Sequence, residues 1–156
     1  MIKSVMVKSL FDCFDYVADY KGRETFAIIS IQDAVEGGFG FRFIKTPLCL
    51  DVLTLYFDDT DELDGSAAAF TPEQARQVID FIRTNKSRVD RLLIHCYAGQ
   101  SRSLAVGAFA VKMLGADNRA YFAGRFPNRL VYDTLVQEYS RQKAADSSDL
   151  VCSDRS

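Results

Sequence analysis

The chain of 156 residues carries a formal charge of −2, and 48% of its residues are hydrophobic, including 12 Phe and 7 Tyr. That length and apolar content fit one domain around one core. The scatter of its 19 cationic side chains excludes a broad basic face for nucleic acid or anionic lipid, so any anion site must be local.

Met1 to Phe14 includes Lys3, Lys8 and Asp12 and holds no apolar run long enough for a signal sequence or a membrane span, so a cytoplasmic location is the default expectation. The cysteines Cys13, Cys49, Cys96 and Cys152 are widely spaced, and the chain has a single histidine. No Cys-x-x-Cys pair or Cys/His cluster suggests zinc, and no metal or organic cofactor is expected. In a reducing compartment a cysteine is either a small buried side chain or a reactive one. Cys13 and Cys49 read as the first kind.

Taken in chain order, short runs rich in branched and aromatic residues at Thr25–Ile31, Phe41–Thr46 and Val52–Phe57 predict strands. Between the first two, Glu36-Gly37-Gly38-Phe39-Gly40 lacks the Lys-Ser/Thr ending of a nucleotide loop and reads as a turn. Thr71-Pro72-Glu73-Gln74 forms a capping box with proline at the first helical position, and Ala75, Val78, Ile79 and Ile82 follow at helical spacing. A strand at Arg91–His95 comes next. The nearly uniform apolar stretch Ser103–Leu114, stopped by Gly115, predicts a centrally buried helix. Further helical segments are expected around Arg119–Gly124 and from about Arg129 to Gln142, with Phe126-Pro127-Asn128 as a break that packs and caps the last helix. Residues 1–143 form the single predicted domain, and 144–156 read as a flexible polar tail. The pattern is α/β: a mostly parallel sheet of about four to five strands with helices on both faces.

In such sheets ligands bind beyond the carboxyl ends of strands, and Cys96 lies at one. The segment His95-Cys96-Tyr97-Ala98-Gly99-Gln100-Ser101-Arg102-Ser103 joins a buried strand to a buried helix through a seven-residue loop, Cys96 to Arg102. Backbone N–H groups at a helix start, reinforced by the helix dipole, bind an anion such as phosphate. Those groups and Arg102 favour the thiolate of Cys96, which makes it a nucleophile. The planar fork of Arg102 can hold two phosphoryl oxygens, and a cation at a helix start opposes the dipole unless an anion sits beside it. Gly99 permits a turn or a close approach. Ser101 and Ser103 supply hydroxyls that can tie the loop or stabilise a departing thiolate, and His95 can brace the loop from below.

Cys-x5-Arg is a weak signal alone, but this loop resembles the His-Cys-x-x-Gly-x-Ser-Arg-Ser signature of the protein tyrosine phosphatase superfamily, dual-specificity-like branch. The resemblance extends more loosely over residues 25–140. It implies a cysteinyl-phosphate intermediate and an aspartate, from a separate loop, acting first as acid and then as base. Asp58, Asp59, Asp61 and Asp64 are the candidates. Asp59 is favoured because the acid of such enzymes tends to follow this strand and Asp59-Thr60 resembles one variant; Asp58 would then orient the loop.

The resemblance implies phosphotyrosine substrates, with phosphoserine and phosphothreonine as further options. A loop interior, Tyr97 to Ser101, without a lysine disfavours inositol phosphates. The alternatives are a phosphopeptide-binding module with little catalysis and an RNA 5′-phosphatase, the latter weakened by the acidic pI of 5.4. Phosphorylated protein is the expected partner, with no nucleic acid and no membrane.

Overall fold

The computed structural model describes residues 1–63 and 68–153. Four parallel strands, β1 (Ser4–Lys8), β2 (Phe26–Gln32), β3 (Cys49–Tyr56) and β4 (Arg91–His95), lie in the order β1-β4-β2-β3. Four helices join and cover them: α1 (Leu10–Ala18), α2 (Pro72–Asn85), α3 (Arg102–Met113) and α4 (Arg129–Ser153).

Both central strands are apolar along nearly their whole length because each face of the sheet is covered. Ala27, Ile29, Ile31, Leu92 and Ile94 point into the larger core, where they meet α2, α3 and α4. Phe26, Ile28 and Leu93 point the other way, toward Cys13 of α1 and Cys49. Strand periodicity of two thus builds both cores from the same residues. The chain runs out along β1, skips a position to β2 and β3, and returns to place β4 between β1 and β2. The carboxyl end of β4 therefore opens at the point where strand order reverses, the crevice at which α/β sheets bind ligands.

The capping box forms as the sequence predicts: Gln74 N–H donates to Thr71 Oγ1 and Thr71 N–H to Gln74 Oε1, each at 3.1 Å. α3 is buried from Arg102 through Ala110, as its apolar composition requires.

Four details differ from the sequence reading. Phe41–Thr46 is not a strand: Phe41 and Phe43 alternate toward the α1 side of the sheet, where they pair with Phe14 and His95, and Phe41 O accepts from the Gln32 side chain rather than from a ladder. The strand and helix at the amino end were not predicted. β1 is a half-buried edge strand of five residues, and α1 is a short helix of nine residues that exposes Phe11 and Phe14 beside its buried Leu10 and Cys13. Residues Arg119–Tyr121 make only a 3-10 turn. α4 continues past Gln142 to Ser153, through Ala144 and Ala145, which favour helix. Among the described residues no helix is long and apolar enough to cross a membrane.

Candidate active site

β4 delivers His95 and Cys96 to the crevice, and the loop beyond them turns back to start α3 at Arg102. The turn depends on Gly99, whose φ is +74°. A β-carbon there would lie 2.7 Å from the carbonyl carbon of Lys8 and the nitrogen of Ser9, so the loop packs backbone against backbone at the junction of β1 and α1. Leu10 N–H donates to Tyr97 O at 3.0 Å and closes the same junction.

Cys96 is buried at the floor of this loop. Its Sγ accepts the Gly99 N–H at 3.2 Å and lies 3.0 Å from Ser103 Oγ. The amides of Tyr97, Ala98, Gln100 and Ser101 have no hydrogen-bond partner among the described residues. Such amides at the start of a buried helix form a concave donor surface.

Arg102 is 4% exposed. Its Nη1 donates to Phe57 O at 2.8 Å and lies 2.7 Å from Asp33 Oδ1. Its Nε is buried without a partner. One corner of the guanidinium is therefore committed to the protein, while a buried donor stays unsatisfied, at a cost of about 1–3 kcal/mol that an anion would remove.

His95 lies beneath the loop, fully buried. Burial pushes it below the ordinary imidazole range, against the raising effect of its bond to Cys96 O, and the nearby Arg102 charge acts in the same direction as burial. The ring is neutral. Its Nδ1–H donates to Cys96 O at 3.0 Å, and its Nε2 then accepts the Ser30 hydroxyl at 2.6 Å. Ser30 Oγ in turn accepts from Gln32 Nε2 at 3.4 Å. A directional chain thus runs from Gln32 through Ser30 and His95 to the carbonyl of Cys96.

Asp59 sits across the loop. Its Oδ1 accepts Ser101 Oγ–H at 2.8 Å and Asn128 Nδ2–H at 2.9 Å. Asn128 also donates from Nδ2 to Thr60 O at 3.1 Å and from its backbone to Ser101 O at 3.1 Å, while its Oδ1 accepts Val131 N–H at 3.0 Å. One residue, through its side chain and its backbone amide, therefore joins the Asp59 loop, the cysteine loop and the first turn of α4. The other carboxylates are placed differently. Asp58 accepts the amides of Ala34 and Ala68, each at 3.0 Å, and so pins the loop. Asp61 is exposed on the wall of a cavity of about 470 Å³ that it shares with Asp59 and Arg125. Asp64 lies outside the described residues.

Burial pushes the Cys13 thiol up to about 12 and the Cys49 thiol up to about 11, so both stay protonated in the core on the α1 side. Asp33, Ser30, Gln32 and the bridging role of Asn128 are absent from the sequence reading. A signal existed for two of them: Ser30 and Gln32 are polar at i, i+2 in a strand otherwise apolar throughout, which marks one face as carrying a buried network.

No family model and no curated protein sequence matches the chain. Its fold is that of the dual-specificity and protein tyrosine phosphatases. Human DUSP28 superimposes with a TM-score of 0.58 over 90% of this chain and 94% of that one, at 15% identity. Human tyrosine phosphatase-like serine/threonine/tyrosine-interacting protein gives 0.53 over 78% and 80%, at 22% identity. The structure of PTPMT1 in complex with PI(5)P gives 0.55 over 92% and 95%, at 13% identity. At these identities the likeness is one of fold.

Proposed function

We propose that the chain is a cysteine-dependent phosphatase that hydrolyses phosphotyrosine in proteins, with phosphoserine and phosphothreonine as further substrates. The observation that carries this reading is the buried, unpartnered Nε of Arg102 at the end of a seven-residue loop that begins with the hydrogen-bonded sulfur of Cys96. A tetrahedral oxyanion satisfies both the loop amides and that guanidinium.

In this mechanism Cys96 Sγ attacks phosphorus and the bond to the phenolic oxygen breaks. Asp59 gives its proton to that oxygen as it leaves. Ser101 and Asn128 hold Oδ1 of Asp59, which orients the carboxyl toward the loop and leaves Oδ2 for the proton. Asp59, now a carboxylate, takes a proton from water as the water attacks the cysteinyl phosphate. The S–P bond breaks, phosphate departs, and the Ser103 hydroxyl stabilises the returning thiolate. Throughout, Arg102 and the loop amides oppose the charge on the equatorial oxygens.

A second reading, a phosphopeptide-binding module with little turnover, draws on the structural neighbour named as phosphatase-like and interacting. A phosphoinositide, as bound in the PTPMT1 structure, is disfavoured by a loop interior that holds no lysine. The test is metal-free turnover of para-nitrophenyl phosphate and a phosphotyrosine peptide by the protein and by Cys96→Ser, Asp58→Asn and Asp59→Asn. Cys96→Ser should abolish turnover, and Asp59→Asn should lower kcat by roughly 10²–10⁴-fold, well beyond Asp58→Asn. An inactive protein that still binds the peptide would replace this reading with the binding module.

A further inference from the structure

The proposed reaction leaves unused an aromatic ridge beside the phosphate loop. Tyr97, the residue after Cys96, is 54% exposed, and Phe11 of α1 is 64% exposed. Their rings meet edge to face with centroids 6.3 Å apart, and Phe39 lies on Tyr97 at 5.9 Å. The ridge is anchored at both ends. Leu10 N–H donates to Tyr97 O, and Phe39 N–H donates at 2.8 Å to Gln32 Oε1, the residue that starts the chain to Cys96.

The outward face of α1 extends this surface. Phe11, Phe14 and Ala18 fall on one exposed stripe at helical spacing, and the exposed carboxylates Asp12, Asp15 and Asp19 follow the same spacing one residue on. None of the three forms an ion pair among the described residues. Clustered exposed rings bordered by polar groups mark an interaction site.

We infer that this ridge reads the polypeptide next to the phosphotyrosine: an apolar side chain seats on Phe11, Tyr97 and Phe39, and a basic residue just beyond it faces Asp12 and Asp15. The inference rests on the phosphatase reading, since Tyr97 makes the ridge continuous with the phosphate loop. Tyr97 directly follows Cys96, so the apolar residue lies close to the phosphotyrosine along the peptide. An anionic membrane would meet the same carboxylates with the wrong sign, so the chemistry favours a peptide.

The experiment compares two phosphotyrosine peptides, one with leucine and arginine beside the phosphotyrosine and one with serine and glutamate at those positions. For the unsubstituted protein kcat/KM should favour the first by about tenfold or more, mainly through KM, as expected for burying one large apolar side chain. In Phe11→Ala that ratio should fall severalfold, the remainder being the arginine's contribution at Asp12 and Asp15, Phe11→Leu should restore part of the loss, and Asp12→Lys/Asp15→Lys should lower the ratio by favouring the glutamate peptide. Equal kcat/KM for the two peptides, with para-nitrophenyl phosphate still turned over, would overturn the ridge and leave the phosphatase reading standing. If no substrate is turned over, the phosphatase reading fails, and fluorescence anisotropy of the same peptides decides the ridge by itself: an equal Kd for both overturns it. Sedimentation of the protein with phosphatidylcholine–phosphatidylserine vesicles, lost in Phe11→Ala, would assign the surface to a membrane and overturn the proposal.

Discussion

Gly99 shows how little space the phosphate loop leaves at the level of single atoms. With φ at +74° and backbone atoms 2.7 Å from the position a β-carbon would take, it must be displaced by any side chain, because the obstructing atoms are main chain of Lys8 and Ser9 and cannot rotate away. Gly99→Ala should therefore cost roughly 1–3 kcal/mol and shift the amide that donates to Cys96 Sγ. Thermal melts with and without inorganic phosphate check both parts: a lower Tm and loss of the stabilisation by phosphate. The same scale explains why His95 is neutral. Burial disfavours a second proton on the ring, and its two nitrogens can therefore take opposite roles, donor to Cys96 O and acceptor from Ser30.

Between elements, Asn128 is the joint. It is the N-terminal cap of α4 through its Oδ1 and the anchor of Asp59 through its Nδ2. The two tasks have different readouts. Asn128→Asp keeps an oxygen for Val131 N–H and so keeps the cap, which is worth about 1 kcal/mol, but replaces the donor to Asp59 with a second carboxylate. Its kcat should fall about tenfold or more while KM changes less, because the lost contact serves proton transfer rather than phosphate binding, and its Tm should fall as well, since the buried carboxylate faces Asp59 Oδ1 and Thr60 O. Asn128→Ala should lose both. A drop in Tm without any change in kcat for Asn128→Ala would leave Asn128 as a cap only.

Across the whole molecule, α2 and α4 are held together by a buried acid. Glu138 of α4 has a side chain only 5% exposed, lies 3.6 Å from Arg76 of α2 and accepts from Arg141 at 2.6 Å. The Arg141 bond is the main cause that holds its carboxyl down at about 2, with smaller help from Gln142 and Arg76. Since the folded state binds its proton less tightly than the unfolded chain, its contribution is present above about pH 4.3 and is lost as pH falls toward 2. Glu138→Gln should thus lower Tm by roughly 2–8 °C at pH 7, with the difference shrinking below pH 4 and absent near pH 2. Melting curves from pH 2 to 7 check this.

Elements whose signals are local were legible in the residues alone. The Thr71 capping box, the uniformly apolar α3 and the loop from Cys96 to Arg102 all encode their structure in consecutive residues, and a single register of alternating apolar residues specified both cores. Features that depend on distant partners emerge only once the chain is folded. Phe41–Thr46 has strand alternation but no ladder, because its neighbours are the ring of Phe14 and the side chain of Gln32. Asp33 is one aspartate among many until β2 ends beside Arg102. Asp58 and Asp59 are adjacent and chemically identical in the sequence, and only the fold separates them, giving one the amides of Ala34 and Ala68 and the other Ser101 and Asn128. The reason is physical: a carboxylate's surroundings are set by the groups the fold brings within about 3 Å, and here those groups come from segments up to 69 residues away along the chain.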